Sequence, residues 1–242
     1  MCNYKETVLK GKCDCWGRRF IYNADWQGFA ILAQPNRATM QQDLKQTFGN
    51  IDIYLFDQLL KGTYANCKTI LDVGCGAGRN LHYFLRNDYE VSGIDQNAEA
   101  IEAVKQLSTA LAPQNSGTFL VAPADDLPFD DASFDVVLSS AVLHFAQDDA
   151  HFNKMVHEIF RVLKPGGFLF ARLASDIGLE SLIIPVGGGR YLLPDGSERY
   201  LVSEETLLRY TRELGGTLHE PIKTTNVQNL RCMTTWYVQK NS

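Results

Sequence analysis

From residue 69 to residue 174, short apolar runs alternate with amphipathic runs long enough to be helices, and this alternation limits the fold of the 242-residue chain more tightly than any other feature. The runs "TILDV", "YEVSGID", "GTFLVAP", "SFDVVLSSAV" and "FLFARLA" read as strands. The runs "GRNLHYFLRND", "NAEAIEAVKQLSTAL" (apolar at 101, 104, 107 and 111) and "DDAHFNKMVHEIFRVLKPGG" read as helices, the last stopped by Pro165-Gly166-Gly167. Strands joined by such crossovers run parallel, and helices then cover both faces of one sheet. Further on, "SEETLLRYTRELGG" reads as a helix capped by Ser203 and ended at Gly215, and "TLHEPIKTT" and "RCMTTWYVQK" as a final antiparallel strand pair. Upstream, "NIDIYLFDQLLKG" predicts a helix starting near Asp52 and closed by Gly62. The expectation is an α/β fold: a doubly wound sheet of seven strands, mostly parallel.

In such a sheet, ligands bind beyond the carboxyl ends of the strands. The stretch "ILDVGCGAGRN", residues 70–80, leaves the first strand at that end. Alternating glycines at 74, 76 and 78 let a backbone pass close to another group. A dinucleotide fingerprint reads G-x-G-x-x-G; here the spacing is G-x-G-x-G, and Arg79 stands where the third dinucleotide glycine belongs. Asp72, two residues ahead of the first glycine, suits a positively charged ligand group better than a phosphate.

The net charge of −5 and pI near 5.5 argue against a dedicated nucleic-acid binder, which needs a basic face. No apolar stretch approaches the roughly 18–20 residues that cross a bilayer, and the first twenty residues lack the apolar core of a signal peptide. The expectation is a cytoplasmic protein without membrane or nucleic-acid partners, its oligomeric state open. Of six cysteines, Cys13 and Cys15 form a C-x-C with no second pair nearby, which favours ordinary thiols over a metal site.

"ILDVGCGAGRN" resembles motif I of the class I S-adenosylmethionine-dependent methyltransferases. "VSGIDQN", "ADDLPFDDASFDVVLSSAVLHF" and "VLKPGGFLFARL" resemble the family's later landmarks, in order, so that the likeness covers about residues 68–173. The whole chain is also similar to bacterial methyltransferases related to the tellurite-resistance methyltransferases, through "NIDIYLFDQLL", "GRNL-YFLRN" and the closing "TTW". The resemblance implies a Rossmann-like fold and S-adenosylmethionine as cofactor. It also implies roles. Gly74, Gly76 and Gly78 offer N–H groups to the methionyl carboxylate at a helix N-terminus. Asp72 anchors the loop and the ammonium region. Asp95 takes both ribose hydroxyls, and Gln96 packs on adenine or reaches the ribose. Pro123 departs from the family pattern, which often has an acid there; Ala124 still offers an N–H to adenine, and Asp125 either takes the adenine amino group or faces solvent. Ser140 supplies a backbone carbonyl to the ammonium. Arg79 reaches the methionyl carboxylate or a substrate acid, or is an exposed helix arginine. His144 is a base on the acceptor side or a packed histidine, and Arg172 faces an anionic acceptor or makes a structural ion pair. Cys75 reads as small and packable.

Methyl transfer to a small molecule is the expected activity. "SSAV" at 139–142 replaces the (Asp/Asn)-Pro-Pro-aromatic motif of exocyclic-amine DNA methylation, and the Pro-Cys pair of cytosine chemistry is absent. A catalytically idle cofactor-binding module is the alternative, kept open by Pro123, with a dinucleotide oxidoreductase third. The chain is read as one domain, 1–242, with a cofactor core at 62–174 and a C-terminal helix and strand pair at 203–242. Residues 16–61 and 175–202 flank the core as lid segments. The second contains a triple glycine, read as a hinge, and a hairpin turning at Pro194-Asp195-Gly196. Arg190 and Tyr191 in it are the candidate substrate contacts.

Overall fold

A computed structural model describes residues 37–242. Cys13, Cys15 and residues 16–36 of the N-terminal lid segment lie outside the described residues. The sheet and its helices belong to the compact unit Gln41–Ser242.

β1 (Thr69–Val73) is central, parallel to β2 (Glu90–Asp95) on one edge and to β4 (Phe134–Ser140) on the other. A strand paired on both edges and covered on both faces must be apolar almost throughout. Ile70, Leu71 and Val73 are fully buried accordingly, and Asp72 is the exception. β3 (Phe119–Val121) extends the sheet beyond β2, and β5 (Leu163–Ala174) extends it beyond β4. β11 (Arg231–Lys240) then pairs antiparallel with β5, and β10 (Lys223–Val227) with β11. The order is β10-β11-β5-β4-β1-β2-β3, the mostly parallel doubly wound sheet expected. One strand becomes two: β9 (Gly216–Leu218) also pairs with β11, and residues 219–222 bulge out opposite 236–237. Pro221 has no N–H for a ladder, so the strand read over 217–225 is interrupted there.

Four of the helices start where short polar side chains cap them. α1 spans Arg37–Phe48. Asp52 accepts from the Tyr54 N–H at the start of α2 (Ile53–Leu60), and Gly62 follows with φ +70°. Asn97 caps α4 (Ala98–Leu111), Asp148 caps α5 (Asp149–Val162) and Ser203 caps α6 (Glu204–Glu213). The first crossover helix is shorter than its sequence suggests. Only His82–Arg86 (α3) is helical, because Gly74, Gly76 and Gly78 all take positive φ and hold the chain in turns. Phe152, Val156 and Ile159 of α5 pack with Leu71 and Val73 on one face of the sheet. Leu55, Phe84, Ile101 and Val104, from α2–α4, pack with Ile70 and Leu138 on the other.

Residues 184–200 form a separate antiparallel sheet: β6 (Ile184–Gly187), β7 (Arg190–Leu192) and β8 (Glu198–Tyr200). The expected hairpin is present. The triple glycine is not a hinge but a tight turn against the start of α5. A Cβ at Gly189 would lie 2.3 Å from Tyr200 Cε2, and one at Gly188 would lie 3.1 Å from Asp148 Cβ. Among the described residues no helix is long and apolar enough to cross a membrane, and no cluster of three His, Cys, Asp or Glu is placed to hold a metal.

Candidate functional site

A cleft of about 420 Å³ opens beyond the carboxyl ends of the parallel strands, lined by Gly74, Ile94, Asp95, Gln96, Ala122, Ala124, Ala141, Val142, Phe145, Gln147, His151 and Met155. The glycine loop reaches it through Gly74, and each glycine does a different job. Gly74 (φ +73°) donates its N–H to Ile94 O at 2.8 Å, and a Cβ there would lie 2.3 Å from Val142 Cγ2. Gly76 (φ +53°) has open space where its Cβ would be. Gly78 (φ +81°) faces α4 instead: a Cβ would meet Leu107 at 2.7 Å and Val104 at 2.9 Å. Gly78 therefore serves helix packing and not the ligand, a correction to the reading of three equivalent ligand-facing glycines. The Gly76 N–H is likewise committed, to Asp95 Oδ2 at 2.9 Å. Among the described residues the N–H groups of Ala77, Arg79 and Asn80 find no acceptor, so they are the loop donors left for a carboxylate. They belong to turns, not to the end of α3.

Asp95 is half-buried and fixed through both oxygens, Oδ2 by Gly76 and Oδ1 by the Asn97 N–H at 2.9 Å. An ionised carboxylate has about four acceptor sites, so each oxygen keeps one for a hydroxyl. Asp72 is 2% exposed, and among the described residues its carboxyl group takes no hydrogen bond. Burial raises it to about 7; Arg79 pulls the other way and Asp95 adds to the rise. A cation against Asp72 binds the ionised form, so cofactor affinity should rise with pH up to about 7, level off above it, and release a proton below it. Without ligand the sign reverses: the raised value makes folding less favourable as pH climbs from the ordinary carboxylate range through 7. Calorimetry of Asp72→Asn in two buffers of different ionisation heat should show this pH dependence gone; a dependence that survives would clear Asp72 of the role.

Opposite the loop, Ala124 is buried and lines the cleft while Pro123 is exposed. Asp125 does not line this cleft. Its carboxylate accepts from Lys154 Nζ at 3.0 Å and lies 3.9 Å from His151 Nε2, and the lysine holds it below the usual carboxylate range. Asp125, read as meeting the adenine amino group or solvent, lines an adjoining cavity with Gln96, Gln147 and His151 and is tied there to α5.

The chemistry-bearing candidates separate. His144 is 6% exposed, outside the cleft lining, with Nδ1 accepting from the Ala174 N–H at 3.3 Å. Burial lowers it to about 4, so at neutral pH it is an uncharged, packed imidazole set apart from the cleft lining. Arg172 donates from Nη1 to Asp52 Oδ2 at 2.8 Å and lies under the Tyr54 ring, 4.7 Å from its centroid. Arg79 is exposed and donates from Nη2 to Ser140 Oγ at 2.9 Å, so the Ser140 hydroxyl is what the structure engages. Arg190 and Tyr191 do not line the cleft. Arg190 bonds Glu198 Oε1 and Ala146 O, each at 2.7 Å, and Tyr191 packs with Ala174, Leu193 and Leu201. Read from the sequence as substrate contacts, both are engaged within the protein here.

Sequence reading missed Phe145, Gln147, His151 and Met155, which close the cleft from the 3₁₀ turn Leu143–Phe145 and the first turns of α5. The available signal was positional: "HFAQDDAHF" follows the strand whose end abuts the glycine loop. Ala141, with φ +67°, gave no signal at all. A non-glycine residue in that region is strained, and here it turns the chain out of β4 into the cleft wall.

A methyltransferase domain family matches residues 71–171. Phthiotriol/phenolphthiotriol dimycocerosates methyltransferase of Mycobacterium tuberculosis is 36% identical over 103 residues, 42% of this chain and 36% of its own. The 27-O-demethylrifamycin SV methyltransferase of Amycolatopsis mediterranei is 34% identical over 117 residues, 46% of this chain and 42% of its own. The chain thus spans less than half the length of these curated relatives. In fold it matches 1,6-didemethyltoxoflavin-N1-methyltransferase of Burkholderia thailandensis, solved with 1,6-didemethyltoxoflavin and S-adenosylhomocysteine bound. The TM-score is 0.59 at 18% identity, over 88% of this chain and 93% of that one. The narrower likeness to tellurite-resistance enzymes gains no support from these relatives. The residues fit the cofactor: Asp95 keeps two acceptor positions, open space lies at Gly76, and buried Asp72 has no hydrogen-bonded or ion-paired partner among the described residues. Residues 71–171 thus match the methyltransferase domain family, and the landmark order and sheet topology are similar to those of the S-adenosylmethionine-dependent methyltransferases.

Proposed function

We propose that the chain transfers a methyl group from S-adenosylmethionine to a small-molecule acceptor by in-line displacement. The observation that carries the reading is Asp95, pinned by two amides at the wall of the cleft with one acceptor position left on each oxygen. The bound cofactor supplies the activated methyl group; the chain's residues supply placement, which in model reactions is worth about 7–11 kcal/mol. Asp95 holds one end of the ligand, Ala77 and Arg79 offer amides to the other, and Ala124, Val142 and Phe145 exclude water between them. No base is required of the protein when the acceptor atom is already unprotonated, which accords with neutral, buried His144. The small sheet β6–β8 braces the cleft wall through Arg190 on Ala146 O and Arg199 over the Phe145 ring, 5.1 Å from its centroid. The relatives act, by their names, on small molecules, which supports the acceptor class.

The test incubates the full chain with methyl-labelled donor and a small-molecule extract, followed by mass spectrometry. A labelled product one methyl heavier than its precursor is the expected result. Tight S-adenosylhomocysteine binding without any labelled product would favour the idle-module reading instead.

A further inference from the structure

Beside the cofactor cleft, one face of the sheet carries a polar row at its carboxyl edge. Asp72 on β1 is in register with Leu138 of β4; Ser140, two residues on, is in register with Arg172 of β5; and Arg172 is in register with Thr235 of β11. Because side chains alternate along a strand, Asp72, Ser140, Arg172 and Thr235 point to the same side, the side covered by α2. Ser140, Arg172 and Thr235 are in-register neighbours on strands about 4.8 Å apart, and Asp72 lies one diagonal step from Ser140, about 7–8 Å away.

Arg172 is the fixed member. Asp52 holds Nη1, the Tyr54 ring covers the guanidinium, and Tyr54 is itself tied to Thr225 by a 2.6 Å hydroxyl–hydroxyl bond. These contacts use one nitrogen and one face. Nε is buried without an acceptor, and Nη2 has none among the described residues. Nε and Nη2 form the side-on edge of a guanidinium, the edge that grips a carboxylate in two parallel bonds. The Thr235 hydroxyl, in register beside it, is also buried and unpartnered. Arg79, one strand over on Ser140, has no carboxylate partner among the described residues. Asp52 neutralises one of the two arginines, and Asp72, raised to about 7 by burial, offsets the other only in part.

We propose that this row is the acceptor subsite, and that it takes an oxyanion, a carboxylate or its equivalent, on the Nε/Nη2 edge of Arg172, with Arg79 adding the second positive charge. The inference rests on the methyl-transfer reading above and names its acceptor class: an anionic small molecule. Asp52 is a positioning residue, holding the guanidinium by Nη1 and leaving its Nε/Nη2 edge unpartnered.

The experiment splits a small-molecule extract on an anion-exchange resin and incubates the retained and flow-through fractions separately with the full chain and methyl-labelled donor. Label should enter the retained, anionic fraction. Arg172→Lys, which keeps a cation for Asp52 but loses the fork, should cut that labelling tenfold or more at limiting extract while S-adenosylhomocysteine affinity by calorimetry stays within threefold. Label confined to the flow-through overturns the proposal and leaves methyl transfer standing; label in neither fraction overturns both. Arg172→Lys that labels the anionic fraction as fast as the unaltered chain also overturns it. The partition between fractions needs no variant, so it decides the matter if the substitution unfolds the chain.

Discussion

Asp95→Ala should weaken S-adenosylhomocysteine binding by about 3–6 kcal/mol, two lost hydroxyl bonds at about 1.5–3 each, which is a fall in affinity of more than a hundredfold. The expectation comes from the way the carboxylate is held. Its two oxygens are spaced and turned by the Gly76 and Asn97 amides, so the free acceptor positions exist before the ligand arrives and no rotamer entropy is spent on binding. The substitution also strips those two amides of their acceptor and loosens the glycine loop. Asp95→Asn separates the effects: its side-chain oxygen retains one loop bond but the charge is gone, so it should fall between the parent and the alanine variant. Isothermal calorimetry is the measurement, and an alanine variant that binds as tightly as the parent would remove Asp95 from the site.

Tyr200→Ala should cost about 3–5 kcal/mol of stability, the usual loss for truncating a buried aromatic ring, or a fall in Tm of about 6–20 °C for a chain of this size. Tyr200 is 5% exposed, its ring stacks on Phe152 at 4.6 Å, and its hydroxyl donates to Asp149 Oδ1 at 2.8 Å. It is the residue through which the small sheet joins the main core. The loss should reach the cleft, because Arg190 and Arg199 of the same sheet hold Ala146 and Phe145 in place. Cofactor affinity should therefore fall as well. Tyr200→Phe keeps the stack and should lose only the hydrogen bond to the exposed Asp149 carboxylate, about 1.5 kcal/mol, the low end for a bond to a charged group. An alanine variant that melts with the parent would show the sheet to be peripheral; one that melts early yet binds the cofactor normally would uncouple the sheet from the cleft.

This coupling revises what the insertion at 175–202 does. From its length and its glycines it reads as a mobile cover whose arginine and tyrosine meet the substrate. In the fold, Gly188 and Gly189 are small because Asp148 and Tyr200 press on them, and Arg190 spends its guanidinium on Glu198 and a carbonyl. Glycine gives the same letter to a hinge and to a crowded turn, and only the neighbours distinguish them. Gly76 and Gly78 repeat the lesson within one loop: one faces open space, the other two side chains of α4.

What the sequence determined by itself is what depends on near neighbours along the chain. The parallel core follows from apolar runs separated by helical ones, and the helix starts at Asp52, Asn97, Asp148 and Ser203 follow from side chains that reach their own second or third amide. The glycine loop after β1 and the acid ending β2 could be placed at the ligand end of the sheet because strand direction alone sets that end. The tertiary structure decided everything that depends on a partner distant in sequence. His144 is a buried acceptor because the Ala174 amide lies across from it; Asp125 is tied to α5 because Lys154 reaches it; Arg172 is held by Asp52, 120 residues earlier. The protonation, orientation and availability of each charged group are set by the dielectric and by the bonds it has already made. Those come from packing, so the location of the site was written in the order of its strands and the chemistry of each side chain only in its surroundings.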